Sequence, residues 1–243
     1  MRIPVIAYAA AAAVDLLAVA AHLPVLEWVA KPLLAPLLAV YLWRATGTRH
    51  GVVIAGLGLA AAGDTALMLS GPVAFAAGTA CFLGMQLCYL AAFFAGGAVE
   101  RLRSRPAVSA GFLSVWAVAN VALAPALGPL MTPLVAVYSL ALVLMAATAG
   151  VRGPGAARGG VLFVVSDLMV GLGAAGVGFT GRTVAVMLTY VAAQFLIVDA
   201  FARPCRGGYA REAAGPARRG GAAEEGPPVR PAGAAPEPYT GGP

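Results

Sequence analysis

The stretch Gly51–Ser70, GVVIAGLGLAAAGDTALMLS, runs for 20 residues with one charged side chain, Asp64. A helix of about 20 residues, rising about 1.5 Å per residue, crosses a hydrocarbon core of roughly 30 Å. The stretch therefore reads as one membrane passage with a carboxylate inside it. Comparable runs recur along the chain, near 3–22, 27–43, 51–70, 73–95, 107–125, 130–149, 159–178 and 183–202. The expected fold is all-α: a polytopic bundle of about eight transmembrane helices over 1–202, followed by a disordered tail over 203–243.

Composition agrees. Of 243 residues, 60% are hydrophobic and 11% charged, where a soluble domain carries roughly 25% charged residues. The mean hydropathy is +0.86. A net charge of +6 raises the question of nucleic acid, but the arginines sit in short connections and the tail rather than on an amphipathic face, so nucleic acid is not an expected partner. Cys81, Cys88 and Cys205 show no metal or redox spacing, and the two histidines, His22 and His50, are too few for a zinc site built with cysteine. No metal and no cofactor is expected. The first run is not read as a signal peptide, because Asp15 interrupts it and His22-Leu23-Pro24-Val25 lacks a small-residue cleavage pattern.

Basic residues alternate from one connection to the next. Arg44 and Arg49 follow the second run, Arg101, Arg103 and Arg105 the fourth, and Arg152 and Arg158 the sixth. The opposite connections are nearly bare, apart from Arg182, with Lys31 just inside the second run. The positive-inside rule then places both termini in the cytoplasm, which requires an even number of passages. From about Arg203 the chain turns to Gly, Pro, Ala, Arg and Glu, as in Pro227-Pro228-Val229-Arg230-Pro231. Such a segment has nothing with which to bury a core.

All four aspartates, Asp15, Asp64, Asp167 and Asp199, fall inside predicted helices. A carboxylate at mid-membrane costs about 2.5 to 3.5 kcal/mol on insertion scales, so such residues face the bundle interior and mark function. Asp167 shares a helical face with Gly160, Phe163 and Gly171, and Asp64 shares one with Ala60 and Met68; both faces suit burial. Asp15 lies in a stripe with Tyr8, Ala11 and His22, open to a structural hydrogen-bonded cluster, and Asp199 is placed to snorkel at the cytoplasmic end of the last helix. Lys31 is the only lysine among the 16 basic residues. It reads either as an interface anchor or as a compact ammonium for a carboxylate or phosphate. Gln86 with Tyr89, Tyr190 with Gln194, and Tyr138 complete a polar interior.

Lys31-Pro32-Leu33-Leu34, GDTALML from Gly63, FLGMQLCY from Phe82, Tyr138 followed by Met145, GVLFVVSDLMV from Gly160 and YVAAQFLIV from Tyr190 resemble, in order, the motifs of the lysoplasmalogenase (YhhN-like) family. The resemblance covers nearly the whole membrane region, from Lys31 to Val198. It implies an eight-span hydrolase of the vinyl ether bond of lysoplasmalogens, releasing a fatty aldehyde and glycerophosphoethanolamine or glycerophosphocholine. The implied partners are the lysophospholipid substrate and membrane lipids. It also implies that Asp64 and Asp167 are the catalytic carboxylates, with Lys31, Gln86, Tyr89, Tyr138, Tyr190 and Gln194 lining the substrate site. One position departs: where many relatives have a histidine three residues before the tyrosine of the fourth helix, this chain has Gln86, which exchanges no proton near neutral pH. The heavy use of Ala, Gly and Arg points to a GC-rich, bacterial genome and hence to a bacterial cell membrane.

A vinyl ether resists base and yields to acid, because protonation of its β carbon gives an oxocarbenium ion that water captures. Burial favours the protonated form of a carboxyl group, so two carboxyls in one interior can divide the roles of proton donor and cation stabiliser. A proton-coupled carrier and a lipid-binding protein without turnover are the rival readings of the same polar set. The arginine pattern makes a direct prediction. A reporter fused after residue 203 is expected to give a cytoplasmic signal, and an external signal would overturn the assignment of both termini.

Overall fold

The computed structural model describes residues 2–203 and 241–242, so the expected tail lies outside the described residues apart from Arg203 and that final pair. Residues 2–203 fall within one compact unit. The helices are α1 (Arg2–Ala20), α2 (Pro24–Thr46), α3 (Gly51–Met68), α4 (Pro72–Ala95), α5 (Ala98–Ser104), α6 (Pro106–Ala149), α7 (Pro154–Ala174) and α8 (Arg182–Ala202), with tight turns at Gly47–His50 and Gly150–Arg152. There is no strand among the described residues. Four helices, α2, α4, α6 and α7, begin on a proline. There its missing N–H costs nothing and its fixed φ suits the helix.

Seven stretches are long and apolar enough to cross a membrane, and one of them, Pro24–Met68, has 45 residues. That stretch contains α2 and α3, which pack on each other across the Gly47–His50 turn and so make two passages. The 44-residue α6 is double too, and its halves, Pro106–Pro129 and Met131–Arg152, are already two of the seven stretches. Gly128 breaks it with φ 72° and ψ 174°, a left-handed value that glycine alone adopts without strain. Trp116 Nε1 then donates to the Ala136 carbonyl at 3.0 Å, and Asn120 Nδ2 to Ser139 Oγ at 3.1 Å. In a straight helix, groups 20 residues apart stand about 30 Å from each other. The two halves of α6 therefore form a hairpin, and the bundle makes the eight passages expected, with boundaries shifted by a few residues. The short α5 has no counterpart in the expected set; Arg101 on α5 lays its guanidinium against Gly150.

Without a hydrophobic drive between helices in lipid, close packing depends on small residues. The tightest pairings, α3 on α4 and α7 on α8, follow this rule. On α3, Gly56 admits the Tyr89 ring and Gly63 the Phe82 ring. On α7, Gly159 faces the Ala193 carbonyl of α8, and Gly160 faces Ala146 of α6. The most buried helix is α8, with Tyr190, Gln194, Ile197 and Phe201 all inside. Tyr8 of α1 donates to the Val191 carbonyl of α8 at 2.7 Å and fastens the first helix to it.

A carbon added at Gly160 would stand 2.9 Å from the Ala146 Cα, which is backbone and cannot swing aside, whereas Gly58 has open space around the same position. Gly160→Ala is expected to destabilise the bundle by about 1 to 3 kcal/mol. Gly58→Ala should be neutral or stabilising by up to about 1 kcal/mol. Thermal unfolding of the two variants in one detergent checks the contrast.

Candidate functional site

Asp64 and Asp167 do not touch each other; each is held by its own tyrosine. Tyr190 OH of α8 donates to Asp64 Oδ2 of α3 at 2.8 Å, and Tyr138 OH of α6 donates to Asp167 Oδ2 of α7 at 2.7 Å. In each pair the second carboxylate oxygen, Oδ1, has no protein partner among the described residues. Asp64 is buried and Asp167 partly so. All four residues lie toward the same end of their helices, the end that carries the α1–α2, α3–α4 and α7–α8 connections.

One face of α4 joins the two pairs. Phe82 meets the Tyr190 ring edge-on at 5.9 Å, Gln86 one turn later approaches the Tyr138 hydroxyl, and Tyr89 donates to Gln194 Oε1 at 2.7 Å. Phe163, one turn before Asp167, closes the other side of Tyr190 at 5.7 Å, also edge-on. Gln194 is fully engaged, because its amide nitrogen contacts Met85 Sδ at 3.1 Å and the Tyr190 oxygen at 3.4 Å. Edge-on aromatic contacts on both sides of Tyr190 fix the direction of its hydroxyl. Gln86 is different. It is fully buried, and neither its nitrogen nor its oxygen completes a hydrogen bond.

Lys31 lies two turns inside α2, not at its start, and its Nζ pairs with Glu27 Oε1 at 2.5 Å. The carboxylate partner is thus four residues back on the same helix, the spacing that favours a Glu–Lys pair. Glu27 was not among the residues expected from sequence, although that i, i+4 spacing was the available signal. Lys31 also lies within Coulombic range of Asp15 and Asp64.

The hydrogen-bonded cluster that the Asp15 stripe left open does not form. Tyr8 spends its hydroxyl on Val191, and His22 lies beyond the end of α1. Asp15 is wholly buried with both carboxylate oxygens unpartnered. It lies within Coulombic range of Asp64, so α1 extends the site. Asp199 sits at the other end of the bundle, where Tyr41 donates to Oδ1 at 2.9 Å and Arg203 reaches Oδ2 at 2.7 Å.

The model of the YhhN family matches residues 26–201. The chain belongs to the YhhN family. No curated protein and no solved structure gives a significant match. The matched region of this YhhN-family chain holds both Asp–Tyr pairs and Lys31, whereas α1, with Tyr8 and Asp15, precedes it.

An unpartnered buried carboxylate is costly for stability, since such a group usually loses several kcal/mol unless paired and hydrogen-bonded. Asn has nearly the same shape without the charge. Asp15→Asn is therefore expected to raise the unfolding temperature in detergent at pH 8 by several degrees, as measured by tryptophan fluorescence. A fall instead would show that the Asp15 charge is stabilised where it stands.

Proposed function

We propose that this protein hydrolyses the vinyl ether bond of lysoplasmalogens, releasing a fatty aldehyde and glycerophosphoethanolamine or glycerophosphocholine. The observation that carries the reading is the pair of Asp–Tyr units, Asp64–Tyr190 and Asp167–Tyr138, facing one polar side of α4 within an apolar bundle. Family membership is consistent with a hydrolase. The reaction adds a proton to the β carbon and water to the oxocarbenium ion, and the resulting hemiacetal collapses to aldehyde and alcohol. Two carboxyl groups set apart suit that sequence, as they do in other enzymes whose transition state resembles an oxocarbenium ion. In our scheme one aspartate gives the proton, and the other stabilises the cation and activates water. The tyrosine hydroxyls orient both carboxyls through Oδ2 and leave Oδ1 toward the substrate. Lys31 sits where it can neutralise a carboxylate or receive the substrate phosphate, and Gln86 and Tyr89 line the path. The natural setting in this proposal is a bacterial cell membrane, with both termini in the cytoplasm.

The buried, unpartnered Asp15 beside Asp64 favours a second reading, a proton-coupled carrier, because intramembrane carboxylates also relay protons. Incubating purified protein with a lysoplasmalogen and measuring aldehyde separates the two. Under the hydrolase reading, Asp64→Asn and Asp167→Asn each lower turnover by about 10² or more with the fold retained. The wild-type pH profile should be bell-shaped, and each variant should lose one limb of it. The reading fails if either folded Asn variant releases aldehyde at close to the wild-type rate.

A further inference from the structure

Asp15 belongs to neither Asp–Tyr pair, yet the packing of α1 aims it at one of them. Tyr8 and Asp15 stand two helical turns apart and so share one face of α1. Tyr8 donates to the carbonyl of Val191, the residue after the Tyr190 that holds Asp64, and lies within Coulombic range of both Asp64 and Asp15. Through residues 21–23 α2 folds back on α1, which returns Lys31 to about the level of Asp15. Lys31 is within Coulombic range of Asp15 and of Asp64.

Carboxyl groups outnumber cations here. Glu27, Asp15 and Asp64 all face Lys31, and the ammonium is already bonded to Glu27, the most exposed of the three. Asp15 is wholly buried with no donor on either oxygen among the described residues, and Asp64 has one donor, Tyr190. The other element against this part of α3 is α4, which presents Phe82 and Gly78 and no charge. Two neighbouring buried carboxyl groups without a cation of their own do not both ionise, and one proton then belongs to the pair. Asp167 is placed otherwise: Tyr138 is its one electrostatic partner among the described residues.

We propose that Asp15 is a positioning residue for vinyl ether hydrolysis: it and Asp64 hold one proton between them, so that Asp64 is the proton donor and Asp167 the carboxylate that activates water. The assignment rests on the hydrolase reading and decides which aspartate takes which role within it. Asp64 gives its proton to the β carbon as the C=C π pair forms the new C–H bond, and a lone pair of the ether oxygen makes the oxocarbenium ion. The negative charge then carried by Asp15 and Asp64 favours that cation. Water bonds to the α carbon and passes a proton to Asp167. The neutral hemiacetal collapses as Asp167 returns the proton to the glyceryl oxygen, which leaves with the C–O bonding pair. Asp64 takes the hydroxyl proton, and both carboxyl groups are restored.

The test follows aldehyde release from a lysoplasmalogen across pH, using the full chain in dodecyl maltoside, and the infrared carbonyl band of protonated carboxyl groups in the same detergent. In wild type the alkaline limb of the profile marks loss of the proton from Asp64. Asp15→Asn removes the neighbouring charge that keeps this proton in place, so the limb is expected to move to lower pH by about one unit or more, with the acid limb unmoved. Asp15→Glu should return the alkaline limb toward its wild-type position. A role for Asp15 in packing alone changes rate or stability and leaves the limb where it is. The infrared band is expected at pH 7 in wild type and in Asp167→Asn, and its midpoint is expected to fall with the limb in Asp15→Asn. If folded Asp15→Asn hydrolyses with the wild-type limb, the proposal is overturned and the hydrolase reading stands. Loss of the band in Asp167→Asn places the proton on Asp167 and also overturns it. If wild type releases no aldehyde, the hydrolase reading falls and the donor role with it, and the infrared midpoints alone decide whether Asp15 and Asp64 share a proton.

Discussion

Hydrocarbon offers no hydrogen-bond partner, and that absence governs the arrangement of this bundle. Each polar atom carried into the membrane must be answered by another part of the protein. Most hydroxyls answer themselves: Thr65, Thr148 and Thr189 donate to the carbonyl four residues back on their own helices. The longer side chains reach across. Tyr190 finds Asp64, Tyr138 finds Asp167, Tyr89 finds Gln194, and Tyr8 finds a backbone carbonyl. These four bonds fix which faces of α1, α3, α4, α6, α7 and α8 look inward. Interhelical hydrogen bonds in membranes are worth only about 0.6 kcal/mol each on average. Their effect here is therefore more on rotation and register than on stability, which rests on glycine-mediated packing.

The rule also gives meaning to its exceptions. Asp15 and Gln86 are fully buried and hold polar atoms that nothing answers. Both lie beside the Asp–Tyr pairs, Asp15 within electrostatic reach of Asp64 and Gln86 close to Tyr138. Unanswered polarity of this kind is a cost to the fold, and in these two residues it stands close to the Asp–Tyr pairs.

Much of this was legible in the sequence. Passage length and apolar content located the eight passages, including the separation of 107–125 from 130–149 that the break of α6 at Gly128 confirms. The cost of placing a carboxylate in lipid singled out all four aspartates, and the family resemblance picked Asp64 and Asp167 from among them. Their partners were not legible, since helical spacing tells which residues share a face and not which face meets which. Tyr138 and Tyr190 could be assigned to the interior, but only the packing of α6 on α7 and the central place of α8 decide that each takes a different aspartate. Asp15 shows the limit from the other side. Its stripe with Tyr8 left open a cluster on one helix, and the structure turns Tyr8 toward α8 instead. Glu27 stands one turn before Lys31 on α2, near the helix start, where a carboxylate reads as an ordinary first-turn residue rather than as part of a polar interior.

The position of α1 bears on how this chain is related to its family. The helix stands outside the matched region, yet it is bonded to α8 and brings a carboxylate close to Asp64. The matched part of the fold holds both Asp–Tyr pairs, while the charge that Asp15 adds near Asp64 comes from a helix outside it. Changes in α1 can therefore alter the electrostatic surroundings of Asp64 without replacing a residue of either Asp–Tyr pair.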